Sequence, residues 1–272
     1  MAIGRLAILL GVVATAIACA TRLSAAQSDT DISLLDNVYT FKSANNDVGP
    51  WYALKLSGVH EFVADTLTIR AVNGFHDRAE PQHGEFLRVE DYHRFSPAIV
   101  VKAALGNGSG YQPQRSSVLE VAAAVPGQHI VSLAAGGVLT TNHNATYQRI
   151  LALGADIASG ALSANVRYYR ATISSGVYAP PSFELLASDR VARSISLGII
   201  ADAGGEVGGD RTASQLPTSS GLFGPALGFS AVGGSGRLRL TGAYQEGAYR
   251  HASTGASAYR QHVVGLGLTA SI

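Results

Sequence analysis

Apolar and polar side chains alternate with a period of two through most of this chain, the mark of strands that show one greasy and one polar face. Tyr52, Leu54, Leu56 and Phe62 oppose Lys55, Ser57 and Glu61, and Leu67, Ile69 and Ala71 oppose Thr66, Thr68 and Arg70. Ile99, Val101, Ala103 and Leu105 oppose Lys102 and Gly106; Leu162, Ala164, Val166 and Tyr168 oppose Ser163, Asn165, Arg167 and Tyr169. The last segment sets His262, Val264, Leu266, Leu268, Ala270 and Ile272 against Gln261, Gly265, Gly267 and Thr269. Each run has about 9–11 residues, the length of a tilted strand that crosses a bilayer.

The connections alternate too. Longer polar stretches (Asn45–Pro50, Asp77–His83, Asn107–Gln114, Thr141–Ala145, Ser174–Pro181, Asp202–Ser220, Arg250–Ala258) take turns with tight ones at Val63–Asp65, Ser96-Pro97, Pro126-Gly127, Ser159-Gly160, Ser188–Val191 and Gly233–Gly236. Two ends of a sheet that differ this way face different surroundings, as in outer-membrane barrels with short periplasmic turns and long external loops. The pattern predicts an all-β fold, a transmembrane antiparallel up-and-down β-barrel of about 14 strands, or 12 if Ser182–Ala187 is not a strand of its own. Either count is even and puts both termini at the periplasmic end. A soluble sandwich also alternates, but its exterior would need more charge than these glycine-rich polar faces supply.

Ahead of the strands, Arg5 and the apolar run Leu6–Ala20 read as a secretory signal peptide cut after Ala26, which takes away the single cysteine, Cys19. The expected organisation is residues 1–26 signal peptide, 27–37 a short periplasmic segment, and 38–272 the barrel. Charged residues are only 14% and the net charge is +1, so no basic face exists for nucleic acid. One cysteine excludes a disulfide framework. His76 and His83 flank Asp77 and Glu80 in one loop without spacing that fixes metal geometry, so neither a metal site nor a cofactor is expected.

Charge on the hydrocarbon-facing surface is costly, which sends the strand charges inward. Turn-centre arithmetic then sets Arg70 opposite Glu90, Glu90 opposite Lys102, and Lys102 opposite Glu120: a lumen ladder of alternating sign, with Arg167 and Glu184 as a second pair. Trp51, Tyr52, Tyr168 and Tyr169 are read as interfacial anchors. His262 sits after the last external loop near Ser253 and Ser257, the one arrangement that resembles acyl-transfer chemistry, and no Gly-x-Ser-x-Gly elbow accompanies it.

The residues Glu90-Asp91-Tyr92-His93-Arg94-Phe95-Ser96-Pro97, the stretch Gln148–Gly160 and the strand Leu162–Arg170 resemble the YaiO family of bacterial outer-membrane β-barrels. That resemblance extends from about Val38 to Ile272. It implies an exported single-chain barrel associated with cell-envelope biogenesis, and it brings no catalytic residues. The expected function is therefore a structural or interaction role in the envelope of a Gram-negative cell, with the lumen braced by paired charges. A narrow pore for small solutes is the alternative, followed by a lipid-modifying enzyme at the outer leaflet using His262. The expected partners are outer-membrane lipid and lipopolysaccharide, plus the barrel-assembly machinery through the C-terminal strand; the chain is expected to be a monomer.

Overall fold

A computed structural model describes residues 30–43, 50–76, 82–110, 112–126, 128–143, 147–174, 180–204, 222–235, 237–251 and 253–271. The alternating segments become β1 (Thr30–Ser43), β2 (Trp51–Glu61), β3 (Asp65–His76), β4 (Gln82–Ser96), β5 (Ile99–Gly108), β6 (Arg115–Val125), β7 (Gln128–Thr141) and β8 (Tyr147–Ser159). They continue as β9 (Leu162–Ile173), β10 (Ser182–Ala192), β11 (Ile195–Gly204), the two-residue β12 (Leu222–Phe223), β13 (Ala226–Ser235), β14 (Leu238–His251) and β15 (Ser257–Ser271). Every neighbour pair is antiparallel, and β1 hydrogen-bonds to both β2 and β15, so fourteen strands close a ring while β12 lies along β14. Hydrocarbon offers backbone N–H and C=O groups no partners, and closure removes the edges that would need them.

Following paired residues once around the ring returns to β1 fourteen positions from the start. A stagger equal to the strand number tilts strands by about 36° from the axis. Each step around the wall therefore raises the register by about one residue. Inward positions far apart in sequence reach a common level by this route.

Two boundaries differ from the sequence reading, and the expected count of fourteen strands holds. The barrel begins at Thr30 and not at Val38, because residues 31–39 pair with both β15 and β2; Asp31, Asp36 and Asn37 obscure the alternation there. Ser182–Ala187 belongs to β10, which fixes fourteen strands. The turn expected at Ser188–Val191 lies at Arg193–Ser194, since β10 continues to Ala192 through a register shift after Asp189. The signal peptide lies outside the described residues.

The outer face is a band of exposed aliphatic side chains, with Leu105 at 71% and Leu266 at 68% exposure. Not every charge turns inward. Asp36 is exposed on the outer face, level in register with Leu54 and Leu266. Inside, toward the long-loop end, Tyr39, Ala53, Val72 and Phe86 pack with Trp51, and Ile150, Ala152, Tyr169, Ala171 and Ile173 form a second patch. Polar and charged residues occupy the level below.

Candidate functional site

Alternation along β2 to β5 turns Lys55, Arg70, Arg88, Glu90 and Lys102 into the lumen. Glu90 is the centre of this wall, with 1% of its side chain exposed. Arg70 Nε lies 3.2 Å from Oε1; Lys102 Nζ and Arg88 Nη2 lie 3.3 and 3.4 Å from Oε2. The Tyr92 hydroxyl donates to Oε2 at 3.4 Å. One carboxylate thus gathers three cations, and Lys102 also lies 5.1 Å from the centre of the Tyr92 ring.

The opposing wall, β6 to β11, is built around a guanidinium. Arg167 holds Asp156 with both arms of its fork, Nη1–Oδ1 at 2.9 Å and Nη2–Oδ2 at 3.0 Å, and Nη2 reaches Glu120 at 3.1 Å. The bidentate geometry fixes the plane of the fork as well as its charge. Two glycines make that reach possible. Arg167 on β9 stands opposite Gly154 on β8, and Glu120 on β6 opposite Gly136 on β7, so the side chains meet over bare backbone. A Cβ on Gly154 would lie 2.6 Å from Arg167 Cδ and 2.2 Å from the Val166 carbonyl oxygen; one on Gly136 would lie 2.8 Å from Glu120 Cβ. Asn165 donates to Asp156, Tyr169 donates to Glu184 at 3.4 Å, and Gln245 donates to Asp202 at 3.2 Å.

Arg70, Glu90, Lys102 and Glu120 all share the inward face, but their pairing differs from the expected ladder. Arg70 stands opposite Arg88, and Glu90 opposite Thr68 and Ala104, so the contacts of Glu90 to Arg70 and Lys102 run diagonally. Lys102 does stand opposite Glu120, yet the contact of Glu120 is to Arg167. Arg167 and Glu184 are likewise opposed in register, while the guanidinium turns to Glu120 and Asp156. The two connections that flank β4 are offset from the assumed centres by one residue, which moves a partner by two positions. Lys55, Arg88, Tyr92, Asp156 and Asp202 were not singled out from the sequence. Arg88 could have been, since it is two residues from Glu90 and must share its face.

The anchors divide by the same rule. Tyr52 is 41% exposed and stacks near Phe75, and Tyr168 lies outside, 5.1 Å from Phe183. Trp51 and Tyr169 are inside: Trp51 packs on the Tyr39–Phe86 patch, and Tyr169 is 6% exposed. Adjacent residues of a strand point to opposite faces, so neither neighbouring pair could anchor as a pair. His262 is on the outer face, its Nδ1 2.9 Å from the Tyr244 hydroxyl and its register partner Glu246. Ser257 begins β15 opposite Arg250, beyond a register shift that breaks its alternation with Gln261, and Ser253 lies in the preceding loop.

Two cavities open on this belt. One of about 500 Å³ is lined by Lys102, Glu120, Asp156, Arg167 and Glu184, the other, of about 250 Å³, by Lys55, Ser57, Arg70 and Thr269. The family model of the YaiO membrane β-barrel domain matches residues 31–196. A comparison with curated proteins finds no sequence relative. Among solved structures the chain is similar to the CymD monoaromatic hydrocarbon channel, with 10% identity, TM-score 0.63, and 91% of this chain and 89% of that one covered. It is also similar to a bacterial polysaccharide outer membrane secretin, with 9% identity, TM-score 0.55, and 89% and 98% covered.

Proposed function

The chain belongs to the YaiO family of outer-membrane β-barrels, and from that premise we propose that it is a narrow aqueous passage for small polar solutes. The observation that carries this reading is the separation of charge at one level of the lumen. Lys55, Arg70, Arg88 and Lys102 face a single carboxylate on the β2–β5 wall, and Glu120, Asp156, Glu184 and Asp202 face a single guanidinium on the β6–β11 wall. A brace alone would be served by matched pairs on each wall. Opposed excesses set up a field across the water between low-dielectric walls, where field lines are focused. A solute crossing this belt is oriented by its own dipole, and the near-zero sum favours neither ion sign strongly.

The fold neighbours named as a channel and a secretin support the fold alone. The separated charges and the cavity that Lys102, Glu120, Asp156, Arg167 and Glu184 line support the passage. Planar-bilayer recordings of the purified barrel test it: discrete conductance steps are expected, and a silent bilayer holding correctly folded protein would overturn the passage in favour of a purely structural barrel.

A further inference from the structure

Outside the lumen, a second set of charges has no part in the passage. Arg115 opens β6, Arg149 and Arg170 lie in the upper parts of β8 and β9, and Arg250 and Arg260 lie at the long-loop ends of β14 and β15; all five are exposed. Their parity is that of the outward Leu119, Leu151, Val166, Tyr244 and Val264, so the guanidinium groups project from the outer face just above the aliphatic band. Outward carboxylates are Asp65, Asp91 and Asp189 toward the short-turn end, Asp36 within the band, and Glu85 and Glu246 at the lower edge of the collar.

We propose that this arginine collar is a docking surface for the phosphorylated glycolipid of the outer leaflet, with Arg149/Arg170 and Arg250/Arg260 as its two phosphate sites. Each site is a pair on adjacent strands. Arg149 stands opposite Thr172 while Arg170 stands opposite Leu151, a diagonal neighbourhood. Such positions are about 7–8 Å apart at Cα, within joint reach of one phosphate for two long side chains. Arg260 stands opposite Ala248, two positions before Arg250 on β14, with a register shift between the two pairings. The Arg149 guanidinium lies 5.2 Å from the centre of the Tyr147 ring, which holds it at the level where amphipathic rings sit. Arginine forks match phosphate oxygens in pairs, and the adjoining leucines receive acyl chains, so one molecule bearing both groups satisfies the surface. Zwitterionic phospholipid offers no net charge to the collar. This surface is independent of whether the lumen conducts.

Native mass spectrometry of the detergent-purified barrel tests the assignment. The probes are diphosphoryl lipid A, the same lipid dephosphorylated, phosphatidylethanolamine, and inorganic pyrophosphate alone. Retention of diphosphoryl lipid A is expected, with the other three retained weakly. Near an anionic headgroup layer each arginine contributes roughly fivefold, so R149Q/R170Q/R250Q/R260Q is expected to lose lipid A retention by well over tenfold. The corresponding lysine variant keeps part of it, and each variant's fold is checked by its heat-modifiable gel shift. Retention that ignores the phosphates or the arginines overturns the proposal, as does pyrophosphate binding as well as the lipid, which would make the collar a free-anion site.

Discussion

The two walls of the lumen use the same residue types to opposite ends. On β2–β5 the carboxylate is the hub, dry at 1% exposure and touched by three cations. On β6–β11 the guanidinium is the hub, and the Asp156 side chain it holds is 36% exposed. The first wall concentrates its bracing in one buried group that cannot be lost singly. The second stretches its bracing across two glycine-bearing strands and leaves Asp156, the carboxylate its fork grips, in reach of water. Burial, more than the number of contacts, decides which wall is fragile.

Neutralising the two hubs' carboxylates should separate them. Glu90→Gln leaves three cations crowded without their anion and is expected to destabilise the barrel by about 3 kcal/mol. Asp156→Asn, in water's reach and with Glu120 still on Arg167, should cost below about 1 kcal/mol. Urea titration in detergent, read by the heat-modifiable gel shift, compares them. Equal losses would mean that the walls do not differ in the way their burial indicates. Next in size, Gly154→Val drives a branched side chain into the Val166 carbonyl and the Arg167 stem and should cost about 2 kcal/mol. The same replacement at Gly137, whose Cβ would meet only the Ile150 carbonyl oxygen at 3.6 Å, serves as its control. If both are tolerated alike, Arg167 does not depend on bare backbone.

Should the barrel conduct, the walls' opposite signs give a subtler test. Lys102→Gln should move ion preference toward cations and Asp156→Asn toward anions, each by roughly twofold in permeability ratio. Reversal potentials in a salt gradient read this directly, and shifts in the same direction would refute separated charge.

How much of this was legible beforehand depends on what sets each feature. Alternation is local, so the strands, the long and short ends, and the inward parity of Arg70, Glu90, Lys102 and Glu120 could be read from the chain. Register depends on where each turn closes, and a one-residue error moved Glu90's direct partners to Thr68 and Ala104. The like-charged facing pair Arg70–Arg88 made sense only once Glu90 was seen beside both. Asp156 was invisible as a site residue because its partner, Arg167, reaches it across Gly154, and a glycine advertises absence of a side chain, not what occupies its space. Trp51 and Tyr169 were misplaced by treating aromatic neighbours as a unit where parity separates them.

Asp36 sharpens the comparison from outside. It stands at the level of both charged walls but with opposite parity, beside Leu54 and Leu266 on the face that meets hydrocarbon. Inside, a carboxylate at that level has cations or water; outside, it has lipid. Midplane charge of this kind costs less for aspartate than the roughly 2–4 kcal/mol of a lysine or arginine, so Asp36→Leu is expected to stabilise the barrel by about 1 kcal/mol. Conductance should not change, since the side chain never enters the lumen, and that joint outcome is what distinguishes an outward residue from a wall residue. A loss of stability in Asp36→Leu would show instead that the carboxylate has a polar partner on that face, and that the outer surface of β1 is covered by something other than acyl chains.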